Sequence, residues 1–231
     1  MTTITVPSTF NGPLASGNGG YSCGVVAERF EGRAAVSLKR PVPLDEALEL
    51  RAEGDGVLRA FSDGEVIAEA VAAPPLAPWQ GPAIGLLEAN AAHQRFVSPP
   101  GGTFDRCFVC GRARPDGFHV FAGPAGDGGV VASPWTPPAW AADESGAVRP
   151  EFVWATLDCP AYFALHGDDF ALAFLVRQQV EIVTLPSAGV EYVVVGRPLE
   201  RSGRKGLSAT AIIDERGEVL AHAECLLVVP R

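Results

Sequence analysis

The chain has no basic excess, no long apolar run and few of the residues that carry polar chemistry. Its 231 residues hold 18 Lys and Arg against 27 Asp and Glu, a net charge of −9. No uniformly basic surface is therefore available to grip a phosphate backbone, and nucleic acid is not an expected partner. Gly, Pro or a charge interrupts every apolar stretch before the roughly 18 residues needed to span a bilayer, so no membrane span is expected. Histidine is scarce, with only His93, His119, His166 and His222. Five cysteines are an odd number, and the polar start Met1-Thr2-Thr3-Ile4-Thr5 lacks the charged and apolar regions of a secretory leader. This argues against a disulfide framework and for reduced thiols in a cytoplasmic protein.

What is present is apolar chain, 47% of the residues, and a repeat. Gly64-Glu65-Val66-Ile67-Ala68-Glu69-Ala70 recurs as Gly217-Glu218-Val219-Leu220-Ala221-His222-Ala223, each copy passing from a turn into an alternating strand. A long-period repeat predicts architecture, and the length suits two units of about 100 residues. The first unit opens with a Gly-rich loop leading to a helix over 21–30. Short strands follow near 35–38, 47–52, 56–61 and 65–71, with Asp63-Gly64 as a hairpin turn. A helix over 83–96 precedes the breaker Ser98-Pro99-Pro100-Gly101-Gly102, which sets the expected units at 1–97 and 98–231. The second unit should open with strands at 118–121 and 130–132. A helix over 150–165 and strands over 171–184, 190–198, 206–214 and 219–229 complete it. Helix-then-meander in both halves predicts an α+β fold with antiparallel pairing.

Several short patterns bear on chemistry. Asp158 falls within the apolar helix, where an ionised carboxylate is costly unless paired or functional and where burial would raise its pKa toward that of a usable general base. The alternative is a helix break at Asp158-Cys159-Pro160 with Asp158 as a cap. Gly17-Asn18-Gly19-Gly20 leads into the first helix and could offer backbone N–H groups to an oxyanion, with Asn18 either donating or serving as N-cap. Gly20-Tyr21-Ser22-Cys23-Gly24 spells the G-x-S-x-G elbow, but no parallel strand can precede it in so short a Pro- and Gly-rich lead, which excludes that reading. Cys107-x-x-Cys110 supplies two of the four ligands zinc needs. No second pair follows and His119 is the available third, so a reduced structural pair and no metal are expected. Cys23, Cys159 and Cys225 read as small buried residues. Arg201, Gly203, Arg204 and Lys205 form the densest basic turn of an acidic chain, suited either to phosphate or to solvent. Gln178 or Gln179 could line a pocket. Trp135, Trp140, Trp154, Phe152, Tyr162 and Phe163 could wall an apolar tunnel, with core packing the simpler use.

Taken in order, Cys107-Phe108-Val109-Cys110-Gly111, Gly117-Phe118-His119-Val120, Glu151 to Pro160 and Arg201-Ser202-Gly203-Arg204-Lys205 resemble the thioesterase-like hotdog proteins. The resemblance extends over nearly the whole chain. It implies a double hotdog of two antiparallel sheets, each wrapped around a central helix. It also implies hydrolysis of an acyl-CoA or related thioester by Asp158-activated water. On that reading Asn18, Gly19 and Gly20 would stabilise the oxyanion, and Arg201, Gly203, Arg204 and Lys205 would meet coenzyme A, which enters as part of the substrate and not as a separate cofactor. A hotdog that binds acyl-CoA or another apolar ligand without turnover is the alternative. The partner is then a small-molecule thioester, with a homodimer as a further option. Enoyl hydration, also found on this fold, would require an Asp-x-Asn-x-x-His motif that this helix lacks.

Overall fold

The computed structural model describes residues 2–54, 56–98, 101–167 and 172–231. In chain order the elements are β1 Thr2–Thr5, α1 Gly19–Ala27, β2 Ala34–Leu38, β3 Ala47–Glu53, β4 Val57–Ser62, β5 Glu65–Ala72 and α2 Leu86–Arg95. Then come β6 Gly123–Pro124, β7 Val131–Trp135, α3 Pro150–Thr156, α4 Cys159–His166, β8 Phe174–Ile182, β9 Tyr192–Ser202, β10 Lys205–Ile213 and β11 Val219–Val228.

The strands form one antiparallel sheet in the order β1-β3-β4-β5-β2-β8-β11-β10-β9-β7-β6. This corrects the expectation of two sheets. β2 and β8, the innermost strand of each meander, pair through Ala35↔Gln179, Val36↔Gln178 and Ser37↔Arg177. Each would otherwise present an open row of backbone donors and acceptors, and joining them removes two edges at once. About that seam the run β3-β4-β5-β2 mirrors β9-β10-β11-β8. The two similar heptapeptides occupy matching places, each leaving a turn glycine in the left-handed region, Gly64 at φ 80° and Gly217 at φ 84°. Their alanines Ala68, Ala70, Ala221 and Ala223 are buried in the main core.

That core lies between one face of the sheet and the helices α1, α3 and α4. α1 crosses α3 at very short range. A β-carbon on Gly20 would stand 2.6 Å from the Trp154 carbonyl oxygen, and one on Gly24 2.7 Å from Glu151 Cα. The glycines of the apparent nucleophile elbow are thus contact glycines, four residues apart on one helical face, where the missing side chains let two backbones approach. Ser22 lies inside α1 and is buried.

The single helix expected over 150–165 is two. α3 ends at Thr156 and α4 begins at Cys159, because the Pro160 ring would collide with a continuing helix and Pro160 has no N–H to donate. Sheet side chains take up carbonyls around the break. Gln178 Nε2 donates to Trp154 O at 3.1 Å, Thr210 Oγ1 to Leu157 O at 2.8 Å and Ser208 Oγ to Ala161 O at 2.9 Å. These contacts account for three buried polar residues facing an apolar layer.

Two other expectations change. The segment 118–121 is not a strand. His119 has φ 54°, and the segment is tied to the Cys107 loop by Phe118 N–H to Phe108 O and Val120 N–H to Val109 O. α2, although it precedes residue 97, packs on β6, β7 and β9. It does so on the sheet face opposite α4, since Ala89 and Ala92 cluster with Val193 and Val195 while Val194 joins the main core. Ala171 and the Pro99-Pro100 step lie outside the described residues. Among the described residues no helix is long and apolar enough to cross a membrane.

Candidate active site

The break between α3 and α4 turns Asp158 toward the first turn of α1. Asp158 does not cap α4 through its side chain. Its Oδ2 instead accepts the Gly20 N–H at 2.9 Å. The first turn of α1 is fixed from both sides. Asn18 is its N-cap, accepting the Tyr21 N–H through Oδ1 at 2.9 Å, and the Asn18 N–H is held by Phe10 O at 2.9 Å. The helix N-terminus, with its aligned N–H groups, suits the negative charge placed before it. Of the first amides, that of Tyr21 donates to Asn18 and that of Gly20 to Asp158. A β-carbon on Gly19 would come 3.2 Å from Asp158 Oδ2 and 3.0 Å from Leu175, so glycine is the residue that keeps this approach open.

Asp158 is only 8% exposed. Burial pushes its carboxyl up to about 7, opposed by the Gly20 N–H, reinforced by Cys107 and opposed by Asn18. A carboxyl in that range can take and return a proton near neutrality. It opens on a pocket of about 260 Å³. Leu38, Phe104, Tyr162, Phe163, Phe174 and Leu175 provide apolar wall, and Lys39 and Arg40 line it from the end of β2. A second hollow of about 190 Å³ shares Phe104, Cys110, Tyr162 and Phe163, so apolar surface continues beyond the first pocket.

Cys107, Cys110 and Cys159 also line the pocket. Their sulfurs lie within 4.8 Å of one another. Hydrogen bonds from Cys110 and Cys159 hold the Cys107 thiol well below its ordinary pKa, helped by the backbone N–H groups of Cys110 and Val109. The same contacts with Cys107 push Cys159 up, and Cys110 rises beside it.

Among solved structures the chain is similar to a conserved protein of unknown function with hot dog fold from Alicyclobacillus acidocaldarius. The two share 14% identity over 99% of this chain and 92% of that one, with a TM-score of 0.61. A putative thioesterase II from Thermobifida fusca YX shares 16% identity over 100% of this chain and 96% of that one, TM-score 0.60. The chain has the hotdog fold. A tesB protein from Mycobacterium avium subs paratuberculosis is similar over 91% of this chain and 85% of that one, at 15% identity and TM-score 0.53. The sequence matches no family model and no curated protein.

Within this hotdog chain the residues singled out from sequence divide into two groups. Asp158, Asn18 and Gly19 line the pocket, and Gly20 joins them through its N–H to Asp158. Two of the expected oxyanion donors are engaged there, Gly20 N–H by Asp158 and Asn18 Nδ2 by Cys107 Sγ at 3.7 Å. Arg201, Gly203, Arg204 and Lys205 lie at the β9–β10 hairpin, where Gly203 has φ 57°. None of the four is among the pocket's described lining residues, although Lys205 pairs with Val228, next to the lining residue Leu227. Arg201 contacts His166 at 3.1 Å, and Arg204 donates to Val229 O at 2.9 Å.

Gln178 is wholly buried against α3, and Gln179 Nε2 donates to Pro74 O. Trp135 and Phe152 join Phe10 and Phe118 in an aromatic cluster of the core, with the exposed Trp140 against Phe118 and Phe152, so of the expected tunnel aromatics Tyr162 and Phe163 line the pocket. His119 is not the third partner of the Cys pair. Its Nε2 lies 2.8 Å from Arg114 O, and Cys159 takes that place. Lys39 and Arg40 carry no signal in the sequence, because nothing marks an isolated Lys-Arg pair at a strand end.

Proposed function

We propose that the protein hydrolyses an acyl thioester, with coenzyme A or a similar carrier as the thiol part. The observation that supports this most directly is Asp158, a buried carboxylate held by the Gly20 N–H at the edge of an apolar pocket. The acyl chain lies along Phe104, Tyr162 and Phe163, and the carbonyl carbon faces Asp158. Asp158 removes a proton as a water oxygen attacks that carbon. The carbonyl oxygen, now anionic, turns toward the Gly19 N–H at the positive end of α1. Collapse of the tetrahedral intermediate breaks the C–S bond, and the proton on Asp158 passes to the departing sulfur. Lys39 and Arg40 meet the phosphates of the carrier, with the basic β9–β10 hairpin farther along the same end of the sheet.

The test is hydrolysis across a panel of acyl-CoA esters by Asp158→Asn, which keeps size and hydrogen bonding but cannot act as a base. Loss of a positioned base costs about 10²–10⁴-fold, so turnover of the preferred ester should fall by at least about 100-fold with the melting temperature little changed. Equal turnover by the variant would remove Asp158 from the reaction.

A further inference from the structure

The pocket carries a second constellation that the hydrolytic reading does not use. Cys107, Cys110 and Cys159 are all buried, and Cys107 Sγ and Cys159 Sγ are 3.9 Å apart. Around a tetrahedral zinc ion with Zn–S bonds of about 2.3 Å, sulfurs stand about 3.8 Å apart. With all three sulfurs already within 4.8 Å of one another, closing them on one ion takes shifts of no more than about 1 Å.

The loop that carries the first two is shaped around its sulfur. Gly111 N–H donates to Cys107 O at 2.8 Å and closes the turn. A β-carbon at Gly111 would lie 2.5 Å from Cys107 O and 2.6 Å from Asp105 O, so the turn requires glycine immediately after the second cysteine. Asn18 Nδ2, at the N-cap of α1, donates to Cys107 Sγ at 3.7 Å. An N–H donor aimed at a sulfur suits the thiolate, the form that binds a metal. The two remaining cysteines show the ordinary alternative, since Cys23 and Cys225 each donate to a single backbone carbonyl, Val36 O and Leu157 O.

We propose that Cys107, Cys110 and Cys159 bind one soft divalent cation of the zinc class, with its fourth position open to the pocket. Three thiolates favour zinc over hard, oxygen-seeking cations and are too few for the four-cysteine ligation of an iron–sulfur cluster. Among the described residues no further His, Cys, Asp or Glu joins the trio at that spacing. The fourth ligand is therefore water or a thiol that enters through the pocket, the open arrangement that separates reactive from closed structural zinc sites. The ion would also tie the 107–110 loop to the first turn of α4, clamping the wall that Asp158 shares.

The full-length protein, reduced and freed of metal, is titrated with Co²⁺ and then Zn²⁺. One equivalent of Co²⁺ should produce thiolate-to-cobalt charge-transfer absorption and the strong visible bands of a four-coordinate site, both abolished by Zn²⁺. X-ray absorption of the zinc form should show three sulfur neighbours at about 2.3 Å. Cys159→Ser should weaken Co²⁺ binding by more than the about 10–100-fold that loss of an outer-shell partner costs, whereas Cys225→Ser should retain one equivalent. If Cys159→Ser does not fold, the X-ray absorption of the wild-type zinc form decides alone. Absence of charge-transfer absorption at one equivalent overturns the proposal, as does a zinc shell of nitrogen and oxygen only. A protein that binds zinc through three sulfurs but cleaves no thioester would uphold this site and remove only the hydrolase reading.

Discussion

No side chain larger than hydrogen fits at Gly20. Its β-carbon would stand 2.6 Å from Trp154 O, 2.7 Å from Asp158 Cβ and 2.9 Å from Ala155 Cα, two of them backbone atoms that cannot turn aside. Gly20→Ala should therefore force α1 from α3 and cost about 1–3 kcal/mol, the usual range for overpacking. It should also lower hydrolysis, because the same shift withdraws the N–H from Asp158. Gly54, exposed in the β3–β4 turn, has nothing within 4 Å of its β-carbon and does not need the left-handed region, so Gly54→Ala should not destabilise and should gain up to about 1 kcal/mol. Chemical denaturation of both variants checks the pair, and equal midpoints would show that the helices yield at no cost. At this scale the sequence marks Asp158 as a candidate, since a carboxylate in an apolar segment needs a reason. It did not reveal that Gly20 serves Asp158, because the two are 138 positions apart. Cys159 stands alone in the sequence for the same reason. Ligand spacing in sequence marks only the Cys107–Cys110 pair, and the third sulfur arrives through tertiary packing.

Among the elements, the end of β2 and the β9–β10 hairpin compete for the carrier phosphates. The hairpin stands out in sequence because four of its residues suit an anion, but density of charge does not give position. Lys39 and Arg40 line the pocket, although each is engaged by a carboxylate of β5, Lys39 by Glu69 at 3.1 Å and Arg40 by Glu65. Those pairs are partly exposed and hold the cations weakly, so a phosphate can replace the carboxylates. A charge-assisted hydrogen bond contributes about 1.5–3 kcal/mol. Discounted for exposure, Arg40→Ala should raise KM for an acyl-CoA about tenfold with kcat little changed, and Arg204→Ala should have a smaller effect. The reverse order in steady-state kinetics would return the phosphate site to the hairpin. The strands themselves were legible because alternation survives in a sheet with one face on the core. The break in the apolar helix was marked by Pro160, but its carbonyl partners on β8 and β10 were not.

At the scale of the molecule, the sequence points to two units divided at 97/98, and those two parts pack extensively on each other. The sheet passes from one to the other through β2 and β8, and α1 packs on α3 across the same seam. α2 belongs by sequence to the first part, yet its Ala89 and Ala92, with Ile84, cover Val193, Val195 and Ala211 of the second. A fragment of residues 98–231 would therefore expose the open edge of β8, the face of α3 that meets Gly20 and Gly24, and an apolar patch on the other side of its sheet. Exposed edges and patches of this kind drive association. Expressed alone, residues 1–97 and 98–231 should each aggregate or remain poorly structured. Expressed together, they should co-purify as a one-to-one complex, because the seam and the α2 contacts need no covalent link. Well-dispersed amide spectra from either fragment alone would show two self-sufficient domains and would place the composite site, with Gly20 on one and Asp158 on the other, at an optional interface.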